Sequence, residues 1–262
     1  MSTKRNKHFV IIAGESSGDI HGAKIIQHLQ KADPLICFSG LGGERMQSFG
    51  FSSLVPMKML AVMGFWEVLK KIFFFLSLEN KLLKHIQKTK PEKIILIDYP
   101  GFNLRLAQQI KKRIPTKIIY YISPQLWAWK ARRVNIIKKY IDTMIVLFPF
   151  EIEWYQKHNI SVQYFGHPLV GNYFKKGTKI AQKKPVYNIA LCPGSRQQEI
   201  KAHMPVFIKI VKQAQKLQAV VRFEIFCAPN ISETLLRNYI QTKDVHINHK
   251  PILESFSTID FA

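Results

Sequence analysis

Acidic side chains are scarce in this chain of 262 residues. Only 17 Asp and Glu stand against 39 Lys and Arg, a formal net charge of +22. That imbalance predicts an anionic partner: a nucleic acid, a nucleotide, a phosphorylated substrate or an anionic membrane. It does not choose among them, but the sequence lacks any recognised nucleic-acid-binding motif, which argues against the first. Cysteine is equally sparse. Cys37, Cys192 and Cys227 lie far apart without the spacing of a metal site, so neither a metal nor a disulfide framework is expected, and a reducing cytoplasm fits. Long apolar runs are missing too. No segment reaches the length of a membrane span, and the basic N-terminus leads into an apolar run of only five residues, Phe9–Ala13. That run is too short for a signal peptide and reads as a first strand.

What is present is an apolar fraction of 47%, enough for a proper core, over a length that allows one large or two ordinary domains. Strand-like and helical stretches alternate from the start. Strands are expected at Phe9–Ala13, Leu35–Ser39, Ser53–Val55, Ile94–Asp98, Lys117–Ile122, Thr143–Leu147 and Val162–Phe165. Helices are expected at Ile20–Leu29, Met63–Lys88, Leu104–Lys112, Val134–Tyr140 and Phe150–His158. This alternation predicts a parallel sheet with helices on both faces. A polar, basic stretch follows and reads as a linker. The pattern then restarts with strands Tyr187–Cys192, Val221–Cys227, Val245–Asn248 and Ile252–Phe256 and helices Ile200–Leu217 and Ser232–Ile240. The predicted organisation is therefore an α/β domain over residues 1–174, a linker over 175–186, and the first part of a second α/β domain over 187–262.

The most informative stretch is Ile94-Ile95-Leu96-Ile97-Asp98-Tyr99-Pro100-Gly101-Phe102-Asn103. Four β-formers run into an acid and then a Pro-Gly break, which reads as a strand buried on both faces with Asp98 at its carboxyl end. In open α/β sheets that edge binds ligands. A carboxylate there, beside apolar neighbours, can accept a proton; the alternative is an Asp that caps the next helix. Gly14–Gly18 occupies the matching place after the first strand, with Glu15, Ser17 and Asp19. It fits no phosphate-loop pattern, and its acids suit sugar hydroxyls better than phosphate; otherwise it is a tight turn capped by Ser17 or Asp19. Pro193-Gly194-Ser195-Arg196 offers a glycine, a hydroxyl and a cation before a long helix. These suit a phosphate or diphosphate, or a capped helix start with a solvated Arg. Ser123-Pro124-Gln125-Leu126-Trp127-Ala128-Trp129 puts two Trp on a loop, to stack on a ligand or to pack down. His167, in Gly166-His167-Pro168, reads as a structural or a cleft histidine.

The helical region from Met63 carries Phe65, Trp66, Leu69, Ile72, Phe73 and Phe75 around more than one face, with Lys70 and Lys71 beside them. Either this helix is buried between sheet and neighbour, or it docks at an anionic lipid surface.

Several motifs then point one way. AGESSGDIHGA (13–23), GLGGERMQSFG (40–50), LAVMGFWEVLK (60–70), IDYPGFNLRLA (97–107), YISPQLWAW (121–129), FPFE (148–151), GHPL (166–169) and LCPGSRQQEI (191–200) occur in this order. Together they resemble the lipid-A-disaccharide synthases, a family of GT-B glycosyltransferases, over essentially the whole chain. The resemblance implies two Rossmann-like domains with the active site in the cleft between them. It implies inverting transfer of 2,3-diacylglucosamine from UDP to 2,3-diacylglucosamine 1-phosphate, giving a β-1,6-linked disaccharide and UDP, without a cofactor or a catalytic metal. By the same resemblance Asp98 is the base and Arg196 the functional arginine on diphosphate charge. Gly14, Glu15, Ser17, Gly18, Asp19, Asn103, Ser123, Trp127, His167, Gly194 and Ser195 are the expected substrate-binding positions.

The family also implies a cytoplasmic protein peripheral on the inner face of the inner membrane, with Phe65, Trp66, Leu69, Lys70, Lys71, Ile72, Phe73 and Phe75 as its membrane contacts. A homodimer is implied for a full-length member, held by its C-terminal portion. Two departures stand out. Gly101 replaces a second Asp found in many members. The family pattern also continues past Ala262 into a Ser/Gly/Thr-rich loop that helps hold UDP, so a chain cut short in its second domain is expected. The competing readings are another GT-B transferase, a UDP-sugar epimerase, or a non-catalytic membrane- or nucleic-acid-binding module.

Overall fold

The computed structural model describes residues 7–60, 67–129, 131–168, 170, 186–217, 220–229, 231–240, 245–250, 255 and 259. Two compact units divide the chain, Met1–Lys175 and Lys176–Ala262. Residues 175–185 of the expected linker lie outside the described residues.

In the first unit seven strands form one sheet: β1 (His8–Ala13), β2 (Cys37–Leu41), β3 (Ser52–Ser53), β4 (Lys93–Ile97), β5 (Lys117–Tyr121), β6 (Thr143–Val146) and β7 (Gln163–Tyr164). Their order is β3-β2-β1-β4-β5-β6-β7, and every pairing is parallel. The helices between them are α1 (Ser16–Ala32), α2 (Glu44–Gln47), α3 (Glu67–Thr89), α4 (Pro100–Lys111), α5 (Val134–Tyr140) and α6 (Pro149–Gln156). The continuous apolar runs in β1 and β4 are explained by two cores. Val10, Ile12, Ile94 and Leu96 face one, with Leu82, Ile86, Leu106 and Ile110 from α3 and α4. Phe9, Ile11, Ile95 and Ile97 face the other, with Ile26 of α1 and Phe38. A sheet covered on both sides needs both parities of each central strand to be apolar. Arg105 of α4 pairs with the buried Glu79 of α3 at 2.8 Å.

The chain leaves β1 toward β2 and returns to β4 on the other side of β1. The sheet's topological switch therefore falls between β1 and β4, where Ala13 pairs with Ile97. In open α/β sheets the ligand crevice lies beyond the carboxyl ends at this point, so residues 14 and 98 begin side by side at that edge.

Among the described residues the second unit has three parallel strands, β8 (Tyr187–Leu191), β9 (Val221–Phe226) and β10 (Val245–Asn248), in the order β10-β9-β8. With them are α7 (Gln197–Lys216) and α8 (Glu233–Arg237). Its core gathers Leu191, Ile200, Met204, Phe223, Ile225 and Leu236. The strand expected at 252–256 lies almost wholly outside the described residues.

Several boundaries differ from the sequence expectation, and three of the shifts have a local reason. α1 begins at Ser16 rather than Ile20, because Glu15 is extended and serves as its N-cap. α4 begins at Pro100 rather than Leu104, since Pro is suited to the first helical position. β2 starts at Cys37 rather than Leu35: the Asp33 carboxylate accepts the Leu35 N–H at 3.2 Å and holds a turn there.

Candidate active site

Asp98 stands at the carboxyl end of β4, half-buried, in a backbone conformation that non-glycine residues avoid. Its φ is +46° and that of Tyr99 is +50°, and Ile122 at the end of β5 has φ +70°. Each such residue costs about 1–3 kcal/mol, and such residues persist where the surroundings over-determine them. The surroundings do so here. The Asp98 N–H donates to the Tyr121 carbonyl at 3.0 Å. Its carbonyl oxygen accepts the Tyr120 hydroxyl at 2.7 Å and the Asn103 amide at 2.7 Å. Asn103 also donates to the Ile97 carbonyl at 3.2 Å. Burial raises the Tyr120 hydroxyl well above the usual tyrosine range; the nearby Asp98 and Tyr155 push the same way, and Arg133 opposes them.

Asn103 was expected to bind substrate, and the structure corrects this. Its side chain is 0% exposed, enclosed in the first turn of α4, and spends its amide N–H groups on main-chain carbonyls. Its Oδ1 is buried with no hydrogen-bond partner among the described residues. Gly101 sits beside it on the exposed side of α4, and a Cβ there would meet nothing within 4 Å. The position has room for the side chain it lacks.

Across the switch, Gly14 follows β1. A Cβ on it would lie 2.4 Å from Cδ1 of Tyr99, so the close approach of the two loops requires glycine. Glu15 and Ser17 are exposed at the start of α1. Gly18 lies inside that helix, where a Cβ would press on Ala13 at 3.2 Å; its role is helix–strand packing. Asp19 is a second correction. It is 5% exposed, and Oδ1 accepts the N–H groups of Gly43 and Met46 at 2.7 and 3.1 Å while Oδ2 accepts that of Arg45 at 3.1 Å. The carboxylate satisfies the start of α2 and ties the GLGGERM loop to α1, instead of facing a ligand.

Ser123 is the third. It is buried, and its hydroxyl donates to Oε1 of Glu151 at 2.5 Å. Glu151, 1% exposed, also accepts the N–H groups of Leu147 and Phe148 at 3.0 and 2.9 Å. This buried acid fastens the loop after β5 to the start of α6. The loop above it is aromatic. Trp127 meets Phe150 edge-on at 5.1 Å, Phe150 stacks on Phe148 at 5.7 Å, and Phe148 lies 5.7 Å from His167. Trp127 thus packs on the unit and keeps an exposed face, as does Trp129.

On α3, Phe75 turns inward. Its ring lies 6.5 Å from Tyr99 and 5.8 Å from Phe102, so it belongs to the wall behind Asp98 and not to a membrane face. Phe73, two residues earlier, is 74% exposed. Leu69, Lys70, Lys71 and Ile72 occupy the first turns of α3, and Phe65 and Trp66 lie outside the described residues.

In the second unit the loop after β8 carries Gly194, Ser195 and Arg196, with Arg196 as the N-cap of α7. The N–H groups of this expected phosphate loop are turned to Glu199. Its Oε2 accepts the N–H of Ser195 at 2.9 Å and of Arg196 at 3.1 Å, and its Oε1 lies 3.2 Å from the Arg196 guanidinium. Those backbone bonds and the guanidinium hold the Glu199 carboxyl below the usual carboxylate range. Gly194, at φ +117°, would bring a Cβ within 2.5 Å of the same carboxylate. The loop is thus built around an anion, and Glu199 is the anion it holds.

Comparison with known proteins places this architecture. The family model for lipid-A-disaccharide synthetase (LpxB) matches residues 9–262. The chain belongs to the lipid-A-disaccharide synthetase family. The lipid-A-disaccharide synthase of Coxiella burnetii (strain Dugway 5J108-111) is 38% identical over 243 residues, covering 90% of this chain and 64% of its own length. Lipid-A-disaccharide synthase 1 of Legionella pneumophila (strain Paris) is 35% identical over 262 residues, covering 96% and 68%. The chain thus spans about two thirds of these relatives. Among solved structures, UDP-GlcNAc 2-epimerase from Neisseria meningitidis bound to UDP-GlcNAc aligns with a TM-score of 0.64 at 12% identity, covering 96% of this chain and 76% of that one. The spinosyn rhamnosyltransferase SpnG aligns at 0.56 and 11%, covering 97% and 74%. At such identities these two share the fold alone.

Within the family frame, sequence reasoning missed Tyr120, Glu151 and Glu199. A tyrosine inside the apolar strand KIIYY, an acid among the aromatics of FPFE and a Glu three residues after the N-cap Arg196 were the available signals.

Proposed function

We propose that this chain supplies the acceptor-side base and a donor-side loop of an inverting glycosyltransferase that joins two diacylglucosamine units. The observation that carries this is Asp98, presented on a strained and buttressed junction at the switch-point edge, in a chain of this family. The 6-hydroxyl of diacylglucosamine 1-phosphate attacks the anomeric carbon of the UDP-linked sugar as Asp98 takes its proton. The anomeric carbon–oxygen bond breaks, and UDP leaves with the electron pair. Base catalysis of this kind is worth about 10²–10⁴-fold. The Neisseria neighbour binds UDP-GlcNAc, which supports a UDP-sugar donor. Arg196 serves the departing diphosphate, with Glu199 yielding its place when the anion arrives. Glu15 and Ser17, exposed beside Asp98's edge, and the face of Trp127 serve sugar hydroxyls and rings.

The substrates carry acyl chains, so the protein works at an anionic membrane. Among the described residues no helix is long and apolar enough to cross one. Contact is made by the start of α3, through the exposed Phe73. The epimerase reading shares only the fold, and the family relatives at 35–38% identity favour the synthase.

In the full-length protein, Asp98→Asn keeps the fold and lowers disaccharide formation about 10²–10⁴-fold. Activity within threefold of wild type removes Asp98 from the role of base.

A further inference from the structure

The backbone at Asp98 and Tyr99 is strained at the sheet edge, and something must hold it. Two consecutive non-glycine residues adopt left-handed conformations there. The two side chains that converge on this junction from beneath are not on the ligand surface. Tyr120 is fully buried near the carboxyl end of the neighbouring strand β5, and Asn103 is fully buried in the first turn of α4. Both donate to the same atom, the Asp98 carbonyl oxygen. A carbonyl that accepts two buried donors is fixed in direction, and with it the orientation of the Cα–Cβ bond that carries the carboxylate. Among the described residues the Asn103 Oδ1 is also left buried without a hydrogen-bond partner, an arrangement that stability alone does not favour.

We propose that Tyr120 and Asn103 are positioning residues that set the direction of the Asp98 carboxylate through its own main-chain carbonyl. The proposal rests on Asp98 being the base. Neither side chain touches substrate; each acts by forcing the strand-to-helix junction into the geometry that presents Asp98. Buried hydroxyl and amide groups suit this task because they are directional and shielded from competing water. Displacements of about 1 Å at a reacting group are enough to cost 10²-fold in rate, so loss of either donor is felt in turnover before it is felt in folding.

The test uses the full-length enzyme with Tyr120→Phe, Asn103→Leu, Asp98→Asn and the double variant Asp98→Asn/Tyr120→Phe. Tyr120→Phe removes one oxygen and leaves the carbonyl bonded to Asn103. Asn103→Leu is nearly isosteric, and removes the orphan acceptor together with the donors. Both are expected to melt within a few degrees of wild type, to keep KM for both substrates within about twofold, and to lose kcat by about 10–100-fold. In the Asp98→Asn background Tyr120→Phe is expected to cost nothing further, because there is no base left to aim. If Tyr120→Phe and Asn103→Leu keep kcat within twofold, or if Tyr120→Phe costs the same factor again without the base, the positioning role is wrong while Asp98's role stands. If Asp98→Asn itself stays active, the base assignment fails, and the inference with it. Should Tyr120→Phe not fold, Asn103→Leu decides by the same kcat and KM criteria. A fall in kcat that tracks lost stability across a temperature series likewise overturns positioning in favour of plain structural support.

Discussion

At the scale of single residues, the acids near the reactive edge have divided their work. Asp98 remains half-buried at the ligand edge, whereas Asp19 and Glu151 are enclosed and bonded to backbone N–H groups. A buried carboxylate that accepts three N–H groups is a structural fastener, because removing it orphans all three donors at once. Asp19→Ala should therefore destabilise the first unit by about 1–3 kcal/mol, read by chemical denaturation, and loosen the 40–50 loop in hydrogen exchange. Asp19→Asn, which keeps one acceptor oxygen, should recover part of that loss. Equal stability of the alanine variant and wild type would contradict the fastening role. The sequence showed that acids cluster at these loops; it could not show which oxygens would be consumed, since Asp19 and its donors at 43, 45 and 46 are more than twenty residues apart.

At the scale of elements, α3 serves two surroundings with neighbouring residues. Phe75 packs on Tyr99 and Phe102 behind Asp98, and Phe73 faces out. The run of aromatics at 73–75 reads in sequence as one broad apolar face, and only the position of the sheet decides which ring is covered. Phe73→Ser should leave stability within about ±0.5 kcal/mol, as exposed sites do, and weaken co-sedimentation with anionic vesicles. Phe75→Ala should cost on the order of 2–3 kcal/mol, somewhat under the value for a fully buried phenylalanine. Unchanged vesicle binding by a folded Phe73→Ser protein would move the membrane contact away from this helix. The helix starts at Ser16 and Pro100 carry the same lesson. Gly18 and Asn103 looked like loop residues, but each lies in a first helical turn because the strand ends where it does.

At the scale of the whole first unit, the opposite edge of the sheet carries a titrating cluster. The Ser39 hydroxyl lies 2.9 Å from Nε2 of His8 and 2.7 Å from Nε2 of His85, joining β1 and β2 to α3. Burial lowers the pKa of both histidines; His85 adds to the effect on His8, and Lys88 to that on His85. His21 on α1 is lowered the same way, by burial first and then by Lys24 and His167. A histidine whose folded pKa lies below its unfolded value of 6.5 binds fewer protons when folded, so stability rises with pH through that interval. The contribution is fully present above about 6.5 and is lost as pH falls through the folded values. The melting midpoint should thus drop between about pH 7 and pH 5.5, and His85→Gln should flatten the drop. A midpoint that is level across this range would show that the cluster does not titrate as its burial implies.

The sequence by itself determined the α/β alternation, the wholly parallel sheet, the restart near Tyr187 and the place of Asp98 at a strand's carboxyl end. These follow from local pattern: apolar runs of strand length, helical periodicity and Pro-Gly breaks are written within a few consecutive residues. It also supplied the ordered motifs that mark the family. Tertiary structure alone decided the strand order that sets Gly14 beside Asp98, the left-handed pair at 98 and 99, and the inward role of Phe75. It also decided the conversion of Asn103, Asp19 and Ser123 from ligand contacts into supports. Each of these depends on partners distant in sequence, such as Tyr120 for the Asp98 carbonyl and Glu151 for Ser123. A buried polar group takes whichever partner the fold brings within hydrogen-bond reach, and that partner exists only once the sheet has closed around it.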